Sequence, residues 1–118
     1  MTRKDYLVEL SKCDINIEAV SKVENVYGRS LPVEIKQIVS YSEESVFFDD
    51  DYRTLSVSEI IDAETDLHID FAKRGLMPVI DCGENDFIVF HFESETWSKF
   101  NIIDESVFKK RNSLSDLL

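Results

Sequence analysis

The residues with most chemical potential are an aspartate triplet, Asp49-Asp50-Asp51, two histidines, His68 and His91, and two thiols, Cys13 and Cys82. A calcium loop of the EF-hand type places oxygen ligands at its first, third and fifth positions, a glycine at the sixth and a glutamate at the twelfth. Counted from Asp49, those last three positions hold Arg53, Thr54 and Ile60, so the pattern fails. Three consecutive side chains in a turn also cannot all face one ion. The triplet therefore reads as an acidic surface turn. Nucleophilic catalysis needs a histidine beside a serine or cysteine and an acid to orient it. His91 lies inside the apolar run Phe87–Phe92, sharing a face with Phe87 and Val89, and reads as a satisfied core or interface histidine. His68 falls on an acidic helix and reads as solvated. No GxSxG, P-loop, HExxH or GxGxxG motif occurs. Cys13 and Cys82 have no CxxC spacing and read as reduced, buried packing residues. These residues point away from an enzyme, and no cofactor or metal is expected.

The elements that carry these side chains follow from hydrophobic periodicity. Tyr6, Leu7 and Leu10 predict a helix over residues 2–12. Asp14 or Asn16 can cap a second helix through Ile17, Val20 and Val23, stopped by Gly28. Pro32 opens a third, carrying Ile35, Ile38, Val39 and Tyr41. The period then changes. Residues 45–48 and 52–56 read as a hairpin about the aspartate turn. Ser56 or Ser58 caps a helix through Ile60, Ile61 and Ala63 that reaches Ile69 or Phe71, and Gly75 marks a break. Three strands follow, over residues 76–82, 87–92 and 97–102, with Pro78 placing the first at an edge or a strand start. The middle one is apolar on both faces, as a central strand is. Lys109-Lys110-Arg111 reads as a solvated loop or helix cap, and residues 113–118 as a short terminal helix. With 118 residues the chain is one domain, residues 1–118. The order predicts an α+β class: N-terminal helices, then an antiparallel or mixed sheet with an inserted helix and a short C-terminal helix.

The charge is unevenly placed. The formal net charge is −11, and residues 43–70 hold ten acids against a single base, Arg53. Such a chain repels phosphate backbones, so nucleic acid is not an expected partner. No apolar run approaches the roughly 18–20 residues that span a bilayer. The N-terminus lacks the apolar block of a signal peptide, so no membrane is expected and the cytoplasm is the expected location. The acidic window has three readings: a solvated surface, a metal site, or a docking face for a basic protein.

Several segments resemble one family in order. Leu31-Pro32-x-Glu34-Ile35-x-x-Ile38-Val39 resembles the Leu-Pro helix entry of the SUKH domain. Leu55-Ser56-Val57-Ser58-Glu59-Ile60 is similar to its strand-to-helix step, and the run Leu76-Met77-Pro78 through Gly83-Glu84-Asn85-Asp86 to Phe90 to its hairpin block. Ser113-Leu114-Ser115-Asp116-Leu117-Leu118 is similar to its C-terminal helix. The resemblance covers residues 16–118. Where many members carry Asn-Gly after the Leu-Pro helix, this chain has the shorter Ser42-Glu43-Glu44-Ser45. The resemblance implies an α+β fold and, for most members, a bacterial immunity protein that neutralises a cognate toxin by direct binding. It implies no catalytic activity. A minority of members are regulators, including the yeast cell-wall assembly regulator.

Together these readings lead to an expected function. The chain would bind a cognate toxin domain, basic and possessing nuclease activity in many cases, through its acidic window. The expected contact residues are Glu43, Glu44, Asp49, Asp50, Asp51, Tyr52, Glu59, Asp62, Glu64 and Asp66. Tyr41, Phe48 and Tyr52 are candidates for aromatic anchors, although a core role fits them equally. The alternative expectation is a regulatory scaffold that binds several partners. The sequence leaves the oligomeric state open.

Overall fold

Thr2 and Asp5 start the fold with a reciprocal cap. The Thr2 hydroxyl accepts the Asp5 N–H and the Asp5 carboxylate accepts the Thr2 N–H, each at 3.1 Å. The computed structural model describes residues 1–49 and 51–118; Asp50, part of the expected turn and contact set, lies outside the described residues. Helix α1 (Arg3–Lys12) buries Tyr6 and Leu10. Helix α2 (Ile17–Tyr27) is capped by Asn16 and ends at Gly28, whose φ of 67° is the left-handed conformation that a glycine adopts without a Cβ clash. Helix α3 (Val33–Tyr41) follows Pro32 and buries Ile35, Ile38 and Val39.

Among the described residues six strands follow: β1 (Phe47–Phe48), β2 (Tyr52–Thr54), β3 (Leu76–Gly83), β4 (Asp86–His91), β5 (Thr96–Asn101) and β6 (Ser106–Arg111). They form one antiparallel sheet in chain order. Between β2 and β3 lie α4 (Val57–Leu67) and α5 (Phe71–Arg74), and a 3-10 turn at Leu114–Leu117 ends the chain. The α+β class read from the sequence is the observed one.

Both sheet faces are covered. Register puts Arg53, Asp81, Phe87 and Phe100 on one face, which leaves Phe48 and Tyr52 on the other. Phe71 of α5 meets Phe100 with ring centroids 5.8 Å apart, and Tyr6 of α1 stacks on Phe48 at 4.8 Å. Helices therefore press from opposite sides, and Phe87, Ile88, Val89 and Phe90 of β4 are all buried.

Four local expectations are corrected. The inserted helix stops at Leu67, because His68 turns left-handed with φ 59°, and α5 is a separate helix. Glu64 ties the two by accepting the Ala72 N–H at 3.2 Å. Pro78 lies in an interior strand, tolerated because β2 pairs only with Ile80 and Asp81 and a register shift separates Pro78 from Ile80. Lys109-Lys110-Arg111 is the end of β6 and not a loop or cap. Cys13 and Cys82 are free, as expected, and each is half-buried where burial was expected.

Candidate functional site

Antiparallel order sends three hairpin turns to one end of the sheet. Asp51 precedes β2 where Gly83 ends β3, and a Cβ placed on Gly83 would stand 4.0 Å from the Asp51 carbonyl oxygen. Asp86 pairs with Asn101, and Ile102 donates its N–H to the Asn85 carbonyl at 3.0 Å. Asp49 and Asp51 thereby become neighbours of the Glu84-Asn85-Asp86 turn, and that turn of Asp104 and Glu105. Glu84, Asp104 and Glu105 were outside the acidic window read from the sequence. The signal that could have found them is the meander itself, since every second turn of such a sheet falls at the same end.

The window's carboxylates divide into two groups. Asp49 accepts from Arg3, with Nε to Oδ2 at 2.7 Å. Glu59 accepts from Arg53 at 2.8 Å and caps α4, so hydrogen bonding to Arg53 holds its carboxyl below the usual range. Glu64 is taken by Ala72, and Asp70 by Arg74 at 2.6 Å. Glu43, Glu44, Asp51, Asp62 and Asp66 are exposed and make no ion pair or side-chain hydrogen bond among the described residues. The window is thus not one patch. Glu43 and Glu44 precede β1, Asp51 is at its far turn, and Asp62 and Asp66 lie on α4.

Arg53, the window's only base, joins these parts. Besides Glu59 it donates to Ser45 Oγ at 2.7 Å and to Asp81 Oδ2 at 3.4 Å. Its paired carboxylates raise its pKa further. Beside it, α4 and the sheet enclose a cavity of about 120 Å³ that Glu59, Asp66, Asp81, Leu55 and Phe87 also line.

The aromatic side chains fall differently from the expected anchors. Phe48 is 1% exposed and Tyr52 9%, both in the core. The Tyr52 hydroxyl accepts from Lys99 Nζ at 3.0 Å, and Arg3 lies 5.2 Å over its ring. Tyr41 is half-buried, edge-on to Tyr6. The exposed apolar groups at this end are instead Met1 (50%), Phe47 (64%), Ile103 (72%) and Val107 (47%). Phe47 was legible only as part of a strand, since alternation does not say which face of an edge strand is covered.

His91 and Ser98 satisfy one another, with Nε2 and Oγ 2.6 Å apart. Ser98 is fully buried, which closes it to a substrate. His68 is exposed, and Trp97 packs in the sheet. Among the described residues no three His, Cys, Asp or Glu side chains converge as metal ligands, and no helix is long and apolar enough to cross a membrane.

The sequence matches no protein-family model, and no curated protein and no solved structure matches the chain.

Proposed function

We propose that this chain is a non-enzymatic immunity protein that acts in the cytoplasm and binds one basic toxin domain through its acidic surface. The observation that carries the reading is the set of free, exposed carboxylates: Glu43, Glu44, Asp51, Asp62 and Asp66. Fixed charge of one sign, unneutralised by its own chain, accelerates encounter with a partner of opposite sign and disfavours other acidic partners. A toxin that binds phosphate backbones is such a partner, and carboxylates can occupy the places of its phosphates. The SUKH-like order of the Leu31-Pro32 helix entry, the Ser56–Glu59 step and the Gly83–Asp86 hairpin supports the same reading. Phe47 and Ile103 supply apolar contacts next to the charge.

The test is titration of the toxin domain encoded beside this gene. The wild type is expected to bind it, with an association rate that falls steeply as salt rises. Reversing Asp51, Asp62 and Asp66 to lysine together is expected to slow association by about tenfold or more. Unchanged binding by that variant would remove the acidic face from the account. Absence of a neighbouring toxin gene, with weak binding to several cell-wall proteins, would replace immunity by a scaffold role.

A further inference from the structure

The opposite charge is gathered at a second place. The α2–α3 connection, α5, the β4–β5 turn and β6 surround an open cavity of about 310 Å³. Arg29, Lys73, Arg74 and Lys110 line it, with His91 and Glu93. These are four of the chain's 13 lysines and arginines, on a molecule of formal charge −11. Clustered like charges repel, and two of the four, Lys73 and Lys110, are exposed with no packing role. Arg74 is already neutralised by Asp70 and Glu105. Arg29, Lys73 and Lys110 make no ion pair or side-chain hydrogen bond among the described residues.

Arg29 is exposed and packs its guanidinium against the fold. Its guanidinium lies 5.1 Å over the Phe92 ring and beside Gly75, at whose Cβ position Arg29 Nη2 would be 3.5 Å away. A planar guanidinium stacked in this way keeps paired N–H donors that match a phosphoryl or carboxylate edge. Lys73 and Lys110 add two point charges. Three free cations facing one space suit a dianion better than a single carboxylate. Glu93, in the β4–β5 turn, is the only acid among the described lining residues. The long-range field of the acidic surface fades over about 8 Å at physiological salt, so it leaves this local field in place.

We propose that this cavity binds a phosphoryl dianion, either inorganic phosphate or the phosphate of a small monoester. The volume exceeds that of the oxyanion alone and leaves room for an organic group. The site lies outside residues 43–70 and is independent of the toxin-binding reading.

The experiment is a titration of the full chain with inorganic phosphate and with adenosine monophosphate, followed by calorimetry and by the His91 ring proton signals. Saturable binding is expected, with the His91 midpoint moving up as the anion enters beside it. Lys73→Gln/Lys110→Gln is expected to weaken binding by about tenfold or more, while Lys109→Gln, beside the site but not lining it, leaves binding unchanged. The double variant is also expected to melt higher than wild type without phosphate, through relief of repulsion, and to gain less from phosphate. Tighter binding of the nucleotide identifies a monoester as the ligand, and equal affinity identifies free phosphate. No saturation by millimolar concentrations of either probe, or binding that survives in the double variant, would overturn the proposal.

Discussion

Arg53 and Glu59 join β2 to the first turn of α4 through one oxygen. Glu59 Oε1 accepts Arg53 Nη1 at 2.8 Å and the Ser56 backbone N–H at 3.0 Å. A single carboxylate therefore caps the helix and anchors it to the sheet.

Replacing Glu59 with alanine is expected to cost about 1–2 kcal/mol in urea unfolding, most of it from the lost cap, because the ion pair is partly solvated. The same residue sets an acid limb. Its carboxyl is held below its ordinary 4.5 by Arg53, so its contribution is complete above that pH. It is lost as pH falls through the lowered native value. Glu59→Gln should be less stable than wild type at neutral pH but lose less on acidification, as chemical unfolding across the acid range would record.

Tyr6 predicts the reverse sign. Its hydroxyl is buried and meets no hydrogen-bond partner among the described residues. Stacking on Phe48 needs only the ring. Tyr6→Phe removes the desolvation cost and keeps the packing, so it should be neutral or stabilise by up to about 1 kcal/mol. A loss of that size in thermal unfolding would show a partner for the hydroxyl.

His91 contributes a second pH dependence. Burial, with Lys110 nearby, pushes its pKa below the ordinary 6.5. The unfolded chain then binds the proton more readily than the folded one. Stability is expected to fall as pH drops from 6.5 toward the lowered native value. His91→Gln should flatten that limb. Denaturant midpoints measured at half-unit pH steps would display the difference.

Cys82 should react as a hidden thiol. Burial pushes its pKa up to about 11, leaving little thiolate near neutrality. Alkylation at pH 8 is expected to be slow at Cys82 in the native protein and fast in urea. Mass spectrometry of the labelled peptides reads both rates. Fast native labelling would mean that β3 opens near Asp81–Gly83.

The elements that announce themselves by pattern or capping chemistry were legible. Asn16 and Ser56 cap helices, Gly28 ends one, and the two-sided apolar run of β4 is central. β6 was hidden because its residues are mostly exposed, leaving no alternation to read; only pairing with β5 makes it a strand. The end of α4 was hidden because a histidine, not a glycine, takes the left-handed cap. The acidic window was visible as a stretch of sequence, but its division into paired and free carboxylates depends on Arg3, Arg53, Arg74 and the Ala72 N–H, contacts that spacing does not reveal. The cationic cavity draws on residues 29, 73, 74 and 110, too scattered along the chain to appear as a motif.

The two outer strands bear on how the protein behaves when crowded. β1 is two residues long. β6 is broken by Lys109, at φ 53°, where two of its residues face one of β5, and it ends in three consecutive cations. Both borders of the sheet therefore act as terminators for strand addition. A second copy or a fibril seed finds no long, flat ladder of open backbone groups to extend. Concentration should drive this chain toward contacts between side chains before it drives any growth of the sheet.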